Sequence, residues 1–490
     1  MTDVVDPSSP DPASTQPAST QPASSRAGTG HAITTPGVDF HDRTANAVAN
    51  PVLQQALHNL DRRLRTAGTA AAAHPEWKDR AAAIRRETLL DLDGWLDRLD
   101  RTLTARGVHV HRASTPEDAR RIIVDLARAC GARTVVKSKS MATEEIDLGN
   151  ALEDAGLTSV ETDLGEYIVQ LAGERPSHMI TPAIHKTLPQ IRDVLAREAG
   201  TDLAVDREAL TAWARERLRG EFLRADIGIT GVNFAAADTG TLVLVTNEGN
   251  GRFCTTLPRV HIAVMPVEKV IPRLADVGFL LPLLTTHATG QALSNYVTMI
   301  SGPRRAGETD GPDELHVVFL DNRRRTLLGT KYEEMLACIR CGACLNVCPV
   351  YRNVSGHAYD SVYSGPMGKV LTPLLSGGAE GADLPYGSTL CHACSDACPV
   401  KIPLGDMILA LRADVPDAHT SERRRRRLFW SLFARAWSTP RGYRITTALG
   451  RVSRGRVPGL RAWTATRELP RPAREPFRDR WAKEHPGERP

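Results

Sequence analysis

The sequence predicts an α/β domain with a mainly parallel sheet, followed by a small helical domain that is rich in cysteine. Between residues 107 and 325, short β-rich runs alternate with helical segments, the pattern of strands joined by crossover helices. Residues 326–415 hold seven of the nine cysteines, in two closely spaced groups. Residues 36–106 show helical periodicity, and residues 416–490 form a basic tail with a helix.

Length and composition suit a protein of two or three domains. The 490 residues can bury a sizeable core. No run approaches about 18 apolar residues, and the N-terminus lacks the pattern of a signal peptide, so we expect a cytoplasmic protein. Residues 1–35 contain the repeat PASTQPASTQPAS and are predicted to be disordered. The net charge is +5, but residues 421–490 carry +13 and the rest of the chain −8.

The predicted strands of the α/β domain are short and rich in β-branched residues. They cover residues 108–110, 134–137, 158–161, 178–181, 227–230, 241–246, 260–266 and 317–320. The first helix of this domain is predicted to begin at Thr115, because this capping residue precedes Pro116 and two acidic residues. A further helix is predicted over residues 141–155, and earlier helices begin near Asn50 and within residues 77–103.

Two turns of the α/β domain carry candidate binding residues. Lys137 and Lys139 lie between a strand and a helix, at the sheet edge where open α/β folds bind ligands, and two lysines there favour an anion. Glu248 and Arg252 lie in a second turn, whose glycines allow the backbone to approach a ligand closely. In the alternative interpretation, both turns are ordinary polar turns whose charges face water.

The cysteine spacing is typical of iron–sulfur proteins. The first group reads C-x2-C-x2-C-x3-C-P and the second C-x2-C-x3-C-P, and such spacings let one loop supply three thiolates to a cubane. The cysteine before the proline ligates the other cluster in two-cluster proteins. The alternatives are a zinc site, which usually has two C-x2-C pairs, or buried thiols without a ligand. We therefore predict two [4Fe–4S] clusters.

Crossed ligation predicts unequal ligand sets. The first cluster would take Cys338, Cys341, Cys344 and Cys398. The second would take Cys348, Cys391 and Cys394, which leaves it one thiolate short. The missing cysteine would lie at position 388, where the chain has a serine. Ser388, His392, Cys254 or an open iron are the candidates for the eighth position, and the sequence does not choose among them.

Several stretches resemble the LutB-type iron–sulfur proteins of lactate utilisation. They are KSKSMATEEIDLGNALEDAGLTSVETDLGEYIVQL from residue 137, GITGVNFAAADTGTLVLVTNEGNGR from residue 228, HVVFLDNRRRTLLGTKYEEMLACIRCGACLNVCPVYRN from residue 316, SGPMGKVLTPLL from residue 364 and CHACSDACPVKIPL from residue 391. The resemblance implies a NagB/RpiA/CoA-transferase-like LUD domain fused to a dicluster ferredoxin-like domain. It also implies oxidation of L-lactate to pyruvate together with LutA- and LutC-like partners.

The expected function is that of an electron-transfer subunit. No G-x-G-x-x-G follows a predicted strand, so we expect no flavin or NAD site in this chain. Oxidation of the substrate would then involve a partner, or a cofactor that the LUD domain binds without a recognisable motif, and the electron acceptor is unidentified. The alternatives are an iron–sulfur subunit of another 2-hydroxyacid oxidase of the glycolate type, a LUD-domain enzyme with acyl or CoA chemistry at Glu248, and a scaffold in which the clusters are structural.

The tail combines a basic run with a face rich in aromatic residues. Five arginines at positions 423–427 precede a helical pattern that places Phe429, Leu432, Phe433 and Trp437 on one side. We expect this helix to dock on the acidic body of the chain or on a partner protein. Peripheral contact with the inner face of a membrane is the alternative. No nucleic-acid reading motif is present, so no nucleic-acid partner is expected.

Overall fold

The protein is described from a computed structural model. It describes residues 74–414, 420–452 and 475–486, together with residues 40, 43, 44, 48, 51, 55–58 and 473. The disorder predicted for residues 1–35 and the helix predicted to begin at Asn50 lie outside the described residues. From Glu76 onward, the chain alternates helices and strands through an α/β domain and then continues as short helices.

The α/β part contains all the strands of the described residues. The strands are β1 His109–Ala113, β2 Thr134–Lys137, β3 Thr158–Glu161, β4 Ile227–Gly231, β5 Phe234–Ala236, β6 Thr241–Thr246, β7 Val260–Pro266, β8 Val270–Ile271, β9 Tyr296–Ile300 and β10 Glu314–Leu320. The helices are α1 Glu76–Leu90, α2 Leu92–Thr104, α3 Pro116–Ala129, α4 Met141–Glu145, α5 Leu148–Asp154, α6 Leu164–Ala172, α7 Leu188–Ala199, α8 Arg207–Arg224, α9 Asn250–Thr256 and α10 Val277–Thr289.

A six-stranded parallel sheet forms the centre of this domain, in the order β1-β10-β7-β4-β2-β3. Its inner strands, such as VHIAVMP in β7, are buried along their whole length because both faces of the sheet are covered, one by helices and the other by the second sheet together with α2. The parallel register places Lys137, the last residue of β2, beside Glu161, the last residue of β3. The predicted fold class is confirmed by this sheet and by the helical region that follows it.

A second sheet lies between the large sheet and the rest of the protein, in the order β8-β5-β6-β9. Along β5 and β6, side chains alternate between two cores. Leu242 and Leu244 pack towards the large sheet, whereas Phe234 and Val243 pack into the core that continues into the cysteine-rich region. The run 241–246 therefore belongs to an antiparallel hairpin, not to the parallel sheet.

Local signals set several boundaries. The Thr115 side chain accepts a hydrogen bond from the Asp118 N–H at the start of α3, which confirms the predicted cap. The single helix predicted over residues 141–155 is divided into α4 and α5, because Asp147 adopts a left-handed backbone with φ of 50°. The strand predicted at residues 178–181 is wrong. This segment is an irregular loop in which the Ile180 N–H donates to His178 Nδ1.

The cysteine-rich region is built from short helices packed around one apolar core. They are α11 Ala343–Val347, α12 Tyr351–Val354, α13 Gly365–Leu375, α14 Ala393–Asp396 and α15 Leu404–Asp414. Its core is continuous with side chains of α1, α10 and the second sheet. The two regions therefore share buried surface and pack as neighbouring layers of one molecule.

The C-terminal part contains three further helices, α16 Thr420–Trp437, α17 Pro440–Val452 and α18 Phe477–Glu484. Large apolar side chains of α16 are exposed, including Phe429, Trp430 and Leu432 at 58–61%. The expectation that this helix docks on the body of the chain is therefore wrong for these side chains. Among the described residues, no helix has both the length and the apolar character needed to cross a membrane.

Candidate iron–sulfur site

Four of the seven clustered cysteines line a single cavity. This first cysteine group consists of Cys338, Cys341, Cys344 and Cys398. Cys341, Cys344 and Cys398 are each at least nine-tenths buried. The rest of the wall is mainly apolar, and Met367 from the start of α13 completes one side. The sequence segment around Cys398 reaches this cavity from the second motif, as crossed ligation requires.

The other three cysteines form a second group around a buried lysine. This second cysteine group consists of Cys348, Cys391 and Cys394. Lys369 Nζ, on α13, donates to Cys348 Sγ at 3.8 Å, and its charge acts on Cys391 and Cys394. The Lys369 ammonium also lies 5.5 Å from the centre of the Tyr359 ring, a cation–π contact. Cys391 is exposed, in contrast to the other two.

The thiols of the two groups differ in acidity according to their burial. Burial raises the pKa of Cys398 to about 11, and it raises the pKa of Cys341 and Cys344 as well. The pKa of the exposed Cys391 is lowered instead, by hydrogen bonds from the Thr389 side chain and from the Ala393 backbone. Since iron binds thiolates, cluster assembly at the buried thiols must release protons.

The cysteine arrangement fits a cluster better than a single ion. Within the described part of the chain, no three His, Cys, Asp or Glu side chains come together as they would around one metal ion. A cubane has its irons at separate corners, so its thiolates surround a larger volume. The four thiols around an apolar cavity match that requirement.

A buried ionic network connects the first cysteine group with the α/β domain. Arg340, two residues after Cys338, donates to Glu268 Oε1 at 2.9 Å. Glu268 also pairs with Arg324 at 2.6 Å, and Arg324 pairs with Glu145 at 2.6 Å. Glu268 and Arg324 are fully buried, so each charge depends on its partners in place of water.

Two further side chains extend the network. The Tyr363 hydroxyl donates to Glu145, and the Arg85 guanidinium from α1 donates to the carbonyls of Val270, Leu336 and Ala337 at 2.9–3.2 Å. Arg85 thereby joins α1, the second sheet and the segment just before Cys338. Sequence patterns gave no signal for this network, because its members are far apart along the chain.

Lys137, the first candidate anion-binding residue, is neutralised inside the α/β domain. Its Nζ lies 2.7 Å from Glu144 Oε1 and 2.6 Å from Glu161 Oε1, and its side chain is 1% exposed. Burial alone would lower the pKa of Lys137, but the two carboxylates hold it above its ordinary value. This pairing leaves the Lys137 ammonium no free side for an external anion.

The other three candidates lie in the segments that follow β2 and β6. Lys139 Nζ donates to the Ile180 carbonyl at 2.6 Å. Glu248 is exposed at its turn, and its Oε2 accepts a hydrogen bond from the Leu164 N–H at 3.4 Å. Partial burial and the nearby Asp163 carboxylate raise the pKa of Glu248. Arg252 is exposed and stacks against the Tyr296 ring at 5.9 Å.

Two buried glutamates that the sequence analysis missed, Glu161 and Glu166, lie close to Lys137 and Lys139. Burial raises the pKa of Glu161 to about 7, and burial together with the Glu161 charge raises the pKa of Glu166 to about 8. Oε2 of Glu161 is buried and lacks a hydrogen-bond partner among the described residues. Neither glutamate belongs to a recognisable motif, so only the folded structure brings them together.

One loop contacts both Lys139 and the first cysteine motif. The loop that contains His178 and Ile180 supplies the carbonyl that binds Lys139, and Ile180 also packs against Gly342, next to Cys341. The His178 ring contacts the Tyr351 ring edge to face, with 5.8 Å between the ring centres. Burial lowers the pKa of His178 to about 3, so this histidine is neutral at the interface.

Comparisons with known proteins agree with this architecture. Residues 96–320 match the family model "LUD domain", residues 334–402 match "4Fe-4S dicluster domain", and residues 413–485 match "Lactate utilisation protein B, C-terminal". The dicluster match implies two [4Fe–4S] clusters. Fold and site together define the class: an iron–sulfur protein in which a LUD domain is fused to a dicluster domain.

Curated relatives identify the family. "Lactate utilization protein B" of Shouchella clausii is 43% identical over 92% of this chain and 98% of its own length. The Geobacillus sp. protein of the same name is 43% identical over 93% and 98%, and so is "Uncharacterized electron transport protein YkgF" of Escherichia coli. The chain belongs to the lactate utilization protein B family, as its motifs predicted.

Proposed function

We propose that this protein is the electron-transfer component of a system that oxidises L-lactate to pyruvate. The observation that carries the proposal is the division of seven cysteines into two adjacent groups, in a chain 43% identical along nearly its whole length to lactate utilization proteins B. Oxidation of lactate to pyruvate releases two electrons and two protons. Iron–sulfur clusters pass single electrons, so two clusters match the number of electrons released.

The proposed ligands follow the two cysteine groups. Cys338, Cys341, Cys344 and Cys398 hold the first cluster, and Cys348, Cys391 and Cys394 hold the second. The cavity with its four thiols supports the first set, and the position of Lys369, which contacts Cys348 and whose charge acts on Cys391 and Cys394, supports the second. Each motif thus supplies the cysteine before its proline to the other cluster. We place the protein inside the cell, where reducing conditions favour such clusters.

The hydride acceptor belongs to a partner in this proposal. A cluster cannot take a hydride from a hydroxyacid alone, so LutA- and LutC-like subunits would bind lactate and a second redox group. An iron–sulfur subunit of a glycolate-type oxidase would transfer electrons through the same two clusters. Partner identity and substrate therefore need to be tested with the assembled complex.

A second candidate function rests on three carboxyl groups of the LUD domain. Glu166 and Glu161 have raised pKa values, and Glu248 lies close by at the carboxyl edge of the parallel sheet. Perturbed carboxyl groups at such an edge are typical of functional sites. In this alternative, Glu248 takes part in acyl or CoA-type chemistry, and Lys139 and Arg252 bind an anionic part of the substrate.

The decisive experiment measures lactate-dependent reduction of the clusters. The chain is purified anaerobically with its neighbouring subunits, and the visible absorbance of the clusters is followed after lactate is added. We expect Cys344→Ser to abolish electron transfer while the partners still bind, and Glu248→Gln to have a mild effect. A loss of about a hundredfold in Glu248→Gln, with intact clusters, would favour the enzymatic alternative, since that is the scale of losing a general base.

A further inference from the structure

The two cysteine motifs repeat the same backbone conformation. Both residues that flank Cys341 have left-handed backbones, with φ of 61° and 76°, and both residues that flank Cys391 do as well, with φ of 54° and 60°. Three of these four residues are not glycine, and such residues seldom adopt positive φ. The same uncommon pattern at two positions indicates that the motifs form equivalent loops around equivalent cysteines.

The equivalence continues along both loops. After its second left-handed residue, each loop enters a short helix. In the first loop this helix is α11, which carries Cys344, and in the second loop it is α14, which carries Cys394. Both segments then end in Cys-Pro. Three residues before Cys341 the first loop has Cys338, and three residues before Cys391 the second loop has Ser388. Position 388 is therefore the counterpart of a ligand position.

The side chains at these two positions make the same contact. The backbone N–H of Arg340 donates to Cys338 Sγ at 3.4 Å, and the backbone N–H of Leu390 donates to Ser388 Oγ at 3.2 Å. In both cases the donor lies two residues after the acceptor. The Ser388 hydroxyl thus has the position in the second loop that the Cys338 thiol has in the first.

The other candidates for an eighth ligand have different surroundings. Cys254 lies in the core of the LUD domain, where its Sγ is 3.5 Å from Thr162 Oγ1. His392 is the counterpart of Gly342, not of a ligand, and its ring packs so closely against Gly405 that a Cβ there would be 2.6 Å from Nδ1. Only Ser388 combines the ligand position of the loop with the matching backbone contact.

We propose that Ser388 Oγ is the eighth protein ligand of the two clusters. This inference rests on the ligand sets given under the proposed function. On binding, the Ser388 hydroxyl releases its proton to water and forms an Fe–O bond at the corner where Cys338 forms an Fe–S bond in the first cluster. An oxygen ligand is harder than a thiolate, so this iron is held less firmly than the other seven.

The test compares Ser388→Ala and Ser388→Cys with the control Ser395→Ala, which removes a hydroxyl from the same loop. Iron content and the electron paramagnetic resonance spectrum are measured on the full chain after anaerobic reconstitution, and iron loss is followed in air. We expect about eight irons in the wild type and in Ser395→Ala, and about seven in Ser388→Ala with the signal of a three-iron cluster. Ser388→Cys should keep about eight and lose iron more slowly than the wild type.

The outcomes separate this inference from the proposed function. Eight irons, an unchanged spectrum and an unchanged rate of iron loss in Ser388→Ala would overturn the role of Ser388. If Ser388→Ala loses the whole second cluster, restoration by Ser388→Cys supports ligation, and failure of Ser388→Cys to restore it contradicts ligation. A wild-type chain that holds four irons or zinc would instead contradict the two-cluster assignment itself.

Discussion

Lys369 is the cationic side chain in hydrogen-bond contact with the second cysteine group. It is fully buried, and its ammonium contacts both Cys348 and the Tyr359 ring. A buried charge is retained only where it has partners, and here the partners are cysteine sulfurs. One-electron reduction adds a negative charge close to this ammonium. Lys369 should therefore stabilise the reduced state relative to the oxidised state.

We predict that Lys369→Met makes the reduction potential of the second cluster more negative. Two charges a few Å apart in a protein interact by on the order of 1–4 kcal/mol, so we expect a change of at least about 40 mV, the one-electron equivalent of about 1 kcal/mol. Potentials are measured by redox titration followed by electron paramagnetic resonance.

Lys369→Arg, which keeps the charge, and Tyr359→Phe, which keeps the ring, serve as controls and should leave the potential nearly unchanged. The signal of the second cluster is recognised by its change in Cys391→Ser. Equal potentials in Lys369→Met and the wild type would show that the lysine only fills space.

The sequence could predict the cysteine ligands but not the charges around them. Thiolate spacing is local, so the motifs around Cys338 and Cys391 identify a dicluster domain without a structure. Lys369 lies 21 residues from Cys348, in a stretch that resembles the family but whose pattern does not indicate a contact with a cysteine, and the packing of α13 brings the two together. Likewise, the sequence leaves Ser388 as one of several candidates for the eighth ligand. The structure distinguishes it because the backbone of its loop matches that of the first motif.

At the scale of elements, the large sheet was predictable and the second sheet was not. The inner strands β4, β7 and β10 of the large sheet are mostly apolar runs, and such runs between helical segments indicate buried parallel strands. Residues 241–246 have the same character because β6 is covered on both faces, by the large sheet and by the core of the cysteine-rich region. Local pattern does not distinguish these two kinds of covering.

Residues 178–181 were predicted to form a strand, but they form an irregular loop. Its apolar residues resemble a short strand, but Met179 and Ile180 pack against Gly342 of the first cysteine motif. A contact between residues more than 160 positions apart cannot be seen in local periodicity. The same loop binds Lys139, which explains why its backbone is irregular.

The α16 helix leaves an aromatic surface uncovered. Phe429, Trp430 and Leu432 are about 60% exposed, and the run of arginines lies at the same end of the chain. Aromatic and arginine side chains are enriched at protein interfaces. With a tail of net charge +13, the partner that fits is a subunit of the complex with an acidic and partly apolar surface.

We predict that the triple substitution of Phe429, Trp430 and Leu432 by Ser weakens binding to the partner subunits by at least about tenfold, the effect of losing about 1.4 kcal/mol. Binding is measured by co-purification and by titration with isolated partners. Ser431→Ala on the same helix is the control. The cluster absorbance should not change in either variant, since neither touches a cysteine.

Undiminished partner binding would contradict this role. Flotation with anionic vesicles that depends on the same three side chains would then assign α16 to a membrane surface. Loss of binding to both partners and vesicles in the control variant would indicate a folding defect of the helix.

For the whole molecule, the buried ionic network determines how the two regions depend on each other. Glu268 and Glu145 belong to the α/β domain, and Arg340 belongs to the first cysteine motif. Although burial raises it, Arg324 holds the pKa of Glu145 below its ordinary value. The stabilisation from Glu145 is therefore present above its unfolded pKa and is lost as the pH falls through the lower folded value.

We predict that Glu268→Gln lowers the free energy of unfolding by about 3–5 kcal/mol, because it leaves buried Arg340 without its carboxylate partner and buried Arg324 with Glu145 as its remaining carboxylate. Unfolding in guanidinium is followed by circular dichroism and by cluster absorbance, and both signals should shift together. Glu334→Gln, which removes an exposed pair with Arg86, should cost no more than about 1 kcal/mol.

Separate transitions for the two signals in the wild type would show that the regions unfold independently. In that case Glu268→Gln should shift only one of them. A loss in Glu268→Gln as small as in Glu334→Gln would contradict the structural role given to the network.

The exchange of Cys348 and Cys398 between the two groups has a topological consequence. Each proposed cluster joins two distant parts of the chain, so the pair closes loops around the segment between the motifs, which includes α13. A covalent link of this kind restricts the unfolded chain, and its stabilising effect on the folded state grows as the enclosed loop lengthens. The clusters would thus act as cross-links in a domain of short helices, and their assembly would fix the shape of the region that carries the electrons.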